Sequence, residues 1–153
     1  FKESDHEPFF NYGLKLNHKH LPEIIYHNKL ELTPIFSPSV GDFIQGMIVS
    51  IPLHFSWFNN KVDTEKIQFL MEEFYLGANF IKVLKKDEGV SDKGYFRPDN
   101  LVGTNCLDIS IFGNNDNNQI IISSRLDNLG KGASGAAIQS MNIALGFDET
   151  IGL

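Results

Sequence analysis

The sequence predicts an α+β fold, a mixed or mostly antiparallel sheet with helices on one face. Three observations carry that reading. Strand-like runs outnumber helical ones. Several of them follow one another with no helix between them. The patch Asn114 to Asn118 joins two of them as a hairpin turn does, because Asn and Asp tolerate left-handed backbone angles.

Each element has its own local cause. Pro22 to Lys29 reads as a short helix, with proline in the first turn, where no N–H is needed. Leu32 to Phe36 is a short extended run, broken by Pro34 and Pro38. Phe43 to Phe55 is a long strand rich in Ile and Val, interrupted by Pro52. Asp63 or Thr64 caps a helix running to about Leu76, and Ile67, Leu70, Met71 and Phe74 form its buried face. Phe80 to Leu84, Leu107 to Phe112 and Gln119 to Ser124 are strands. A closing helix over about 129–145 follows Asp127-Asn128, both good cap residues. No repeat or long linker divides the 153 residues, which read as one domain.

Composition excludes several function classes. The formal net charge is −6, and the densest basic pair, Lys85-Lys86, is followed at once by Asp87-Glu88. Such a chain is a poor nucleic-acid partner, because neutralising phosphates needs grouped Lys and Arg. No apolar run approaches the roughly 20 residues of a membrane span. One cysteine, Cys106, forbids an intrachain disulfide and fits a reducing compartment. The opening FKESDHEPFF is acidic, has no signal-peptide pattern and does not begin with Met. The expectation is a cytoplasmic domain excised from a longer protein.

Three stretches carry chemistry. Gly130-Lys131-Gly132-Ala133-Ser134-Gly135 matches G-x-G-x-x-G. A dinucleotide-binding unit also needs a parallel strand after the helix and an acidic residue about 20 positions on. Only GFDETIGL remains here, so the pattern fails its context. Its glycines instead permit close backbone approach, and the N–H groups at the helix start are free to face an anion. In the second stretch, His18 and His20 stand just before a helix and share one face of an extended segment, with Glu23 close enough to orient an imidazole. A zinc site there lacks a third ligand, and no metal is expected. Surface histidines at a helix start are the plain alternative. Third, Cys106 opens a strand with no basic or glycine-rich turn just before it, and reads as structural rather than nucleophilic.

Taken together, these stretches resemble the N-acetyl-γ-glutamyl-phosphate reductase family. Tyr12, His18-Lys19-His20 and Pro22-Glu23-Ile24 are similar to its Y…HRHxPEI segment. Leu32-Thr33-Pro34 and Gln45-Gly46-Met47 follow its FTPH…RG region, and Val102 to Ile109 its VxGSNxCDI region. Asp127-Asn128-Leu129, Lys131-Gly132-Ala133, Gln139 and Met141-Asn142 resemble its DNLxKGAAGQAVQNMN segment. The matches run in family order along the whole chain. Two positions depart: Ile35 stands where the common pattern has His, and Gln45 where it has Arg. A bidentate Arg suits an acyl phosphate and Gln carries no charge, so phosphate recognition is open here.

The resemblance implies a domain like the C-terminal domain of glyceraldehyde-3-phosphate dehydrogenase, catalytic and dimerising over 1–153, with the NAD(P)-binding Rossmann domain outside this chain. It implies NADPH-dependent reduction of N-acetyl-γ-glutamyl phosphate to the semialdehyde in arginine biosynthesis. The thioester-forming cysteine would also lie outside the chain. His20 is then the general acid/base, with Glu23 fixing its tautomer and His18 supporting it, and the two histidines are exchangeable in these roles. Tyr12 and Gln45 become substrate contacts. Asn128, Lys131 and Gly132 become minor cofactor contacts near the nicotinamide. The implied partners are a small acyl phosphate and further copies of the chain. Rival readings are a related reductase with an aminoadipate-type or carrier-bound substrate, a stand-alone oligomerisation module without catalysis, and a small metal- or anion-binding protein using the two histidines.

Overall fold

The computed structural model describes residues 7–153, so the acidic opening stretch lies largely outside the described residues. Where the sequence reads as one domain, the chain groups into two units, Phe1–Ile44 and Gln45–Leu153.

In the first unit, β1 (Phe9–Asn11) pairs antiparallel with β2 (Ser39–Gly41). The Ser39 hydroxyl donates to Asn11 Oδ1 at 2.7 Å and ties the two strands. Between them runs α1 (Leu21–Asn28), one residue earlier than the sequence suggests. It stops where Lys29 turns left-handed at φ 51° and returns its N–H to Ile25 and Tyr26. The run Leu32 to Phe36 forms no strand. Pairing falls instead on two three-residue segments whose partners are 28 or more residues apart, too short for any local period to reveal.

The second unit is built on four strands: β3 (Met47–His54), β4 (Ile81–Val83), β5 (Leu107–Asn114) and β6 (Gln119–Leu126). Their order is β3-β6-β5-β4. β6 is antiparallel to both neighbours, and β4 is parallel to β5. Pro52 explains one edge. It has no N–H to give, so its strand must leave one side unpaired, and β3 is an edge strand. β5 and β6 form the expected hairpin, closed by Asn117 N–H on Asn114 Oδ1 at 3.0 Å and by Asn118 at φ 55°.

Helix α2 (Thr64–Phe74) starts at Asp63, whose carboxylate accepts the Lys66 N–H at 2.8 Å. Its Ile67 joins Ile111, Ile120 and Phe55 in the core and Met71 packs against them, whereas Leu70 and Phe74, expected on the same buried face, are exposed. The helix start comes so close to β5 that a Cβ on Gly113 would overlap the Thr64 side chain. The register puts Met47, Val49 and Ile51 of β3 on this same face. They lie beyond the reach of the helix and stay exposed.

The opposite face departs from expectation. A sheet with helices on one side commonly leaves an apolar second face that must be covered elsewhere. That face instead carries Asp108, Ser110, Ser123 and Arg125, all buried. Arg125 donates to Asp108 Oδ2 from Nε at 3.0 Å and from Nη2 at 2.8 Å. Its Nη1 reaches the Gly89 carbonyl at 2.9 Å, and its guanidinium carbon lies over the Phe96 ring, 4.7 Å from the ring centre. The loop between β4 and β5 thus covers a charged pair. In this sheet, unburied apolar surface sits on the β3 flank of the face that carries α2.

The closing helix α3 (Gly135–Ala144) follows a wide turn over Gly130–Ser134, in which the N–H groups of Gly132, Ser134 and Gly135 reach back five residues. Among the described residues, no helix is long and apolar enough to cross a membrane.

Candidate functional site

In the first unit the histidine segment gathers four rings. His18 lies 4.8 Å from His20, 4.8 Å from Phe36 and 5.8 Å from Tyr12, between ring centres. The His20 N–H donates to His18 Nδ1 at 3.3 Å, so in its neutral form His18 carries its proton on Nε2. His18 is half-buried and His20 exposed at the start of α1. Tyr12 is held by its own N–H on the Pro38 carbonyl at 3.0 Å. This is an aromatic cluster in which His18 accepts a backbone N–H and His20 is exposed.

Glu23 does not take its expected place. It hydrogen bonds to no described residue and is exposed. The reason is local. A Glu at this position folds back when it can accept the N–H of the cap residue. Here that N–H is engaged by His18 Nδ1. His20 also has helical angles (φ −82°, ψ −13°) rather than the extended ones of a side-chain cap.

In the second unit the hub is Asp127, only 1% exposed. Its Oδ1 accepts the N–H groups of Leu129 at 2.8 Å and Gly130 at 3.0 Å. Its Oδ2 accepts the Gly103 N–H at 2.7 Å and the Gln45 side-chain amide. The neighbouring Asn128 accepts the Gly46 N–H on Oδ1 at 2.7 Å. Gly46 stands at φ +114° with the Pro98 carbonyl where a Cβ would go, so only glycine fits. Around Asp127 opens a cleft of about 420 Å³, lined also by Gln45, Asn105, Gly130 and Ser134.

Burial pushes the Asp127 carboxyl up. The N–H groups of Gly103, Gly130 and Leu129 and the Gln45 amide outweigh it and hold the group below its usual 3.8. A depressed carboxylate stabilises the fold above its unfolded value, and that stability is lost as pH falls through the folded one. The unfolding temperature of Asp127→Asn should therefore lie furthest below the parent's at about pH 7, with the gap narrowing below about pH 4. Thermal denaturation at both pH values checks this. A gap that widened on acidification would overturn the assignment.

The glycine-rich turn has few N–H groups left for a ligand. Gly132 donates to the Asp127 carbonyl at 2.8 Å, Ser134 to Leu129 at 3.2 Å, and Gly135 to Gly130. Gly135 permits the close approach that its sequence context suggests, since a Cβ there would overlap Asn105 Oδ1. Lys131 is engaged as well. Its Nζ donates to Gln139 Oε1 at 2.6 Å and lies 5.5 Å from the Phe80 ring. Gln139 in turn donates to Glu149, which also takes the Asn79 amide. The lysine anchors the C-terminal segment through this chain of contacts.

The structure therefore brings Tyr12, His18 and His20 together, and separately Gln45, Gly46, Asp127 and Asn128. It leaves Glu23 apart and gives Lys131 and the Gly132 N–H other partners. Phe36 and Asp127 were missed. Phe36 lies between Pro34 and Pro38 in a run read only as broken strand. Asp127 was read as a helix cap, which half of its carboxylate is. Cys106 is half-buried at the start of β5, its N–H on the Thr104 hydroxyl at 3.3 Å. Among the described residues, no group of three or more His, Cys, Asp or Glu is placed to hold a metal ion.

Residues 2–128 match the family model described as semialdehyde dehydrogenase, dimerisation domain, and the chain belongs to that family. More particularly, it is 43% identical over 148 residues to N-acetyl-γ-glutamyl-phosphate reductase 2 of Nostoc sp. (strain PCC 7120), covering 95% of this chain. The N-acetyl-γ-glutamyl-phosphate reductases of Trichormus variabilis and Brucella ovis are 43% and 42% identical, over 95% and 90% of this chain. The chain spans about half the length of these relatives, between 44% and 46%.

Proposed function

We propose that this chain is the catalytic and dimerisation part, with the closing helix, of an NADPH-dependent N-acetyl-γ-glutamyl-phosphate reductase. The observation that carries the reading is the 43% identity across 95% of the chain to relatives of that name. The ring cluster supports it. His20 is the exposed imidazole, suited to passing a proton to the substrate carbonyl oxygen as that oxygen gains charge. His18 is pinned through Nδ1 and, with Tyr12, serves as a substrate contact. The thioester-forming cysteine is assigned outside this chain.

The reductant is assigned there too. Turn N–H groups that would cradle a pyrophosphate bond inward. These residues do not fit the body of a dinucleotide. Of the proposed cofactor contacts, Asn128 keeps a side-chain amide N–H without a partner among the described residues. α3 points to further polypeptide. No charged residue occurs from Gly132 to Phe147, yet Met141, Ile143, Leu145 and Phe147 are exposed. The family model ends at Asn128, before this helix. Self-association is assigned to the β3 flank bearing Met47, Val49 and Ile51, as the family's description as a dimerisation domain suggests.

Two measurements test the reading. The full-length protein should oxidise NADPH only when given the acyl phosphate, followed by absorbance. Equal or greater activity on an aminoadipate-type acyl phosphate would move the substrate assignment. The 153-residue chain alone should bind NADPH only weakly in calorimetric titration. A dissociation constant on the order of 1 µM would overturn the rejection of the glycine pattern.

A further inference from the structure

We infer that Asp127 is a positioning residue that sets the Gln45 side chain and the Leu129–Gly130 turn together, as one rigid corner of the cleft. The inference rests on the proposed role of Gln45 as a substrate contact.

Asp127 cannot itself meet a ligand, because it is 1% exposed and both its oxygens are engaged. What it does is join three chain segments. Residues 45, 103 and 129–130 all donate to one carboxylate. A second bond, Gly46 N–H to Asn128 Oδ1, locks the same two segments one residue along. The partners are 82 residues apart in sequence, so nothing local holds them in register.

A carboxylate only accepts. It therefore fixes the orientation of the Gln45 amide, with Nε2 turned toward Asp127. The Gln45 carbonyl oxygen and its second N–H have no partner among the described residues, and Gln45 lines the cleft. Reversing the amide would set oxygen against oxygen. Asp127 thus decides which face Gln45 shows to a ligand while staying out of reach itself. Its other oxygen holds the turn that carries Asn128 into α3.

The test compares Gln45→Ala, Asp127→Asn and the double variant in the full-length protein. Gln45→Ala should raise KM for the acyl phosphate about tenfold and leave kcat within about twofold, as loss of a binding contact does. Asp127→Asn should raise the same KM at least as much, and the double variant should be no worse than Asp127→Asn alone. Effects that multiplied, or an Asp127→Asn variant with a lowered unfolding temperature and unchanged KM, would overturn the inference. So would an unchanged KM in Gln45→Ala while the parent enzyme reduces the acyl phosphate.

Amide hydrogen exchange separates this from the functional reading, since it needs no activity. In Asp127→Asn, protection should fall together at Gly46, Leu129 and Gly130. In Gln45→Ala it should persist at Leu129 and Gly130. Unaltered protection at Gly46 in Asp127→Asn would sink the proposal even if the enzyme were of another specificity. Should Asp127→Asn fail to fold, Asp127→Glu, which keeps the charge but lengthens its reach, carries the same comparisons.

Discussion

Replacing Asp108 with alanine is expected to lower the stability of the fold by about 3–5 kcal/mol, the scale for removing one partner of a buried ion pair. Arg125 would remain 4% exposed, with its Nε and Nη2 facing a gap and only the Gly89 carbonyl and the Phe96 ring as partners. Deleting the charge from both sides, as Asp108→Leu with Arg125→Met, should recover much of the loss, since two apolar side chains leave no orphaned charge. Urea unfolding of the three proteins decides it. The idea fails if Asp108→Ala is within about 1 kcal/mol of the parent, for the pair would then behave like a surface bridge. The loop from Lys85 to Asn105 should also loosen in Asp108→Ala, because Arg125 is what ties Gly89 to the sheet.

The second large effect concerns turnover. On the acid/base role proposed for His20, His20→Asn in the full-length protein should keep the fold and lower kcat by about 10² or more, the usual scale for losing such a group. His20 is exposed and its side chain makes no cap hydrogen bond, so the substitution disturbs little packing. His18→Asn should act more on KM, since His18 packs among Tyr12, His20 and Phe36. Glu23→Gln should change neither constant much, because Glu23 makes no bond to either imidazole. Near-normal turnover in a correctly folded His20→Asn would move the role to His18 or to a residue outside this chain.

Much of the secondary structure was legible because it depends on near neighbours. The Asp63 cap, the apolar spacing through Ile67 and Met71, the Asn114–Asn118 turn and the Pro22 helix start are all contained within a few residues. So was the grouping of His18 with His20, two positions apart. β1 and β2 were not legible, since a three-residue strand has no period to detect and exists only through its partner. Glu23 was misjudged because spacing alone cannot tell which acceptor a shared N–H will choose.

The sequence by itself determined the type of most of the longer elements and the ordered motifs that mark the family. Those rest on local sterics and on residue order, both present in one dimension. Only the tertiary structure decided that β3 flanks β6, that β4 runs parallel, that the face opposite α2 buries Asp108 with Arg125, and that Asp127 gathers donors from residues 45, 103 and 129–130. A buried charge takes whichever partners the fold delivers, and those arrive from segments as far as 82 positions away along the chain. Their meeting is fixed by strand register and packing, which no window of the sequence contains.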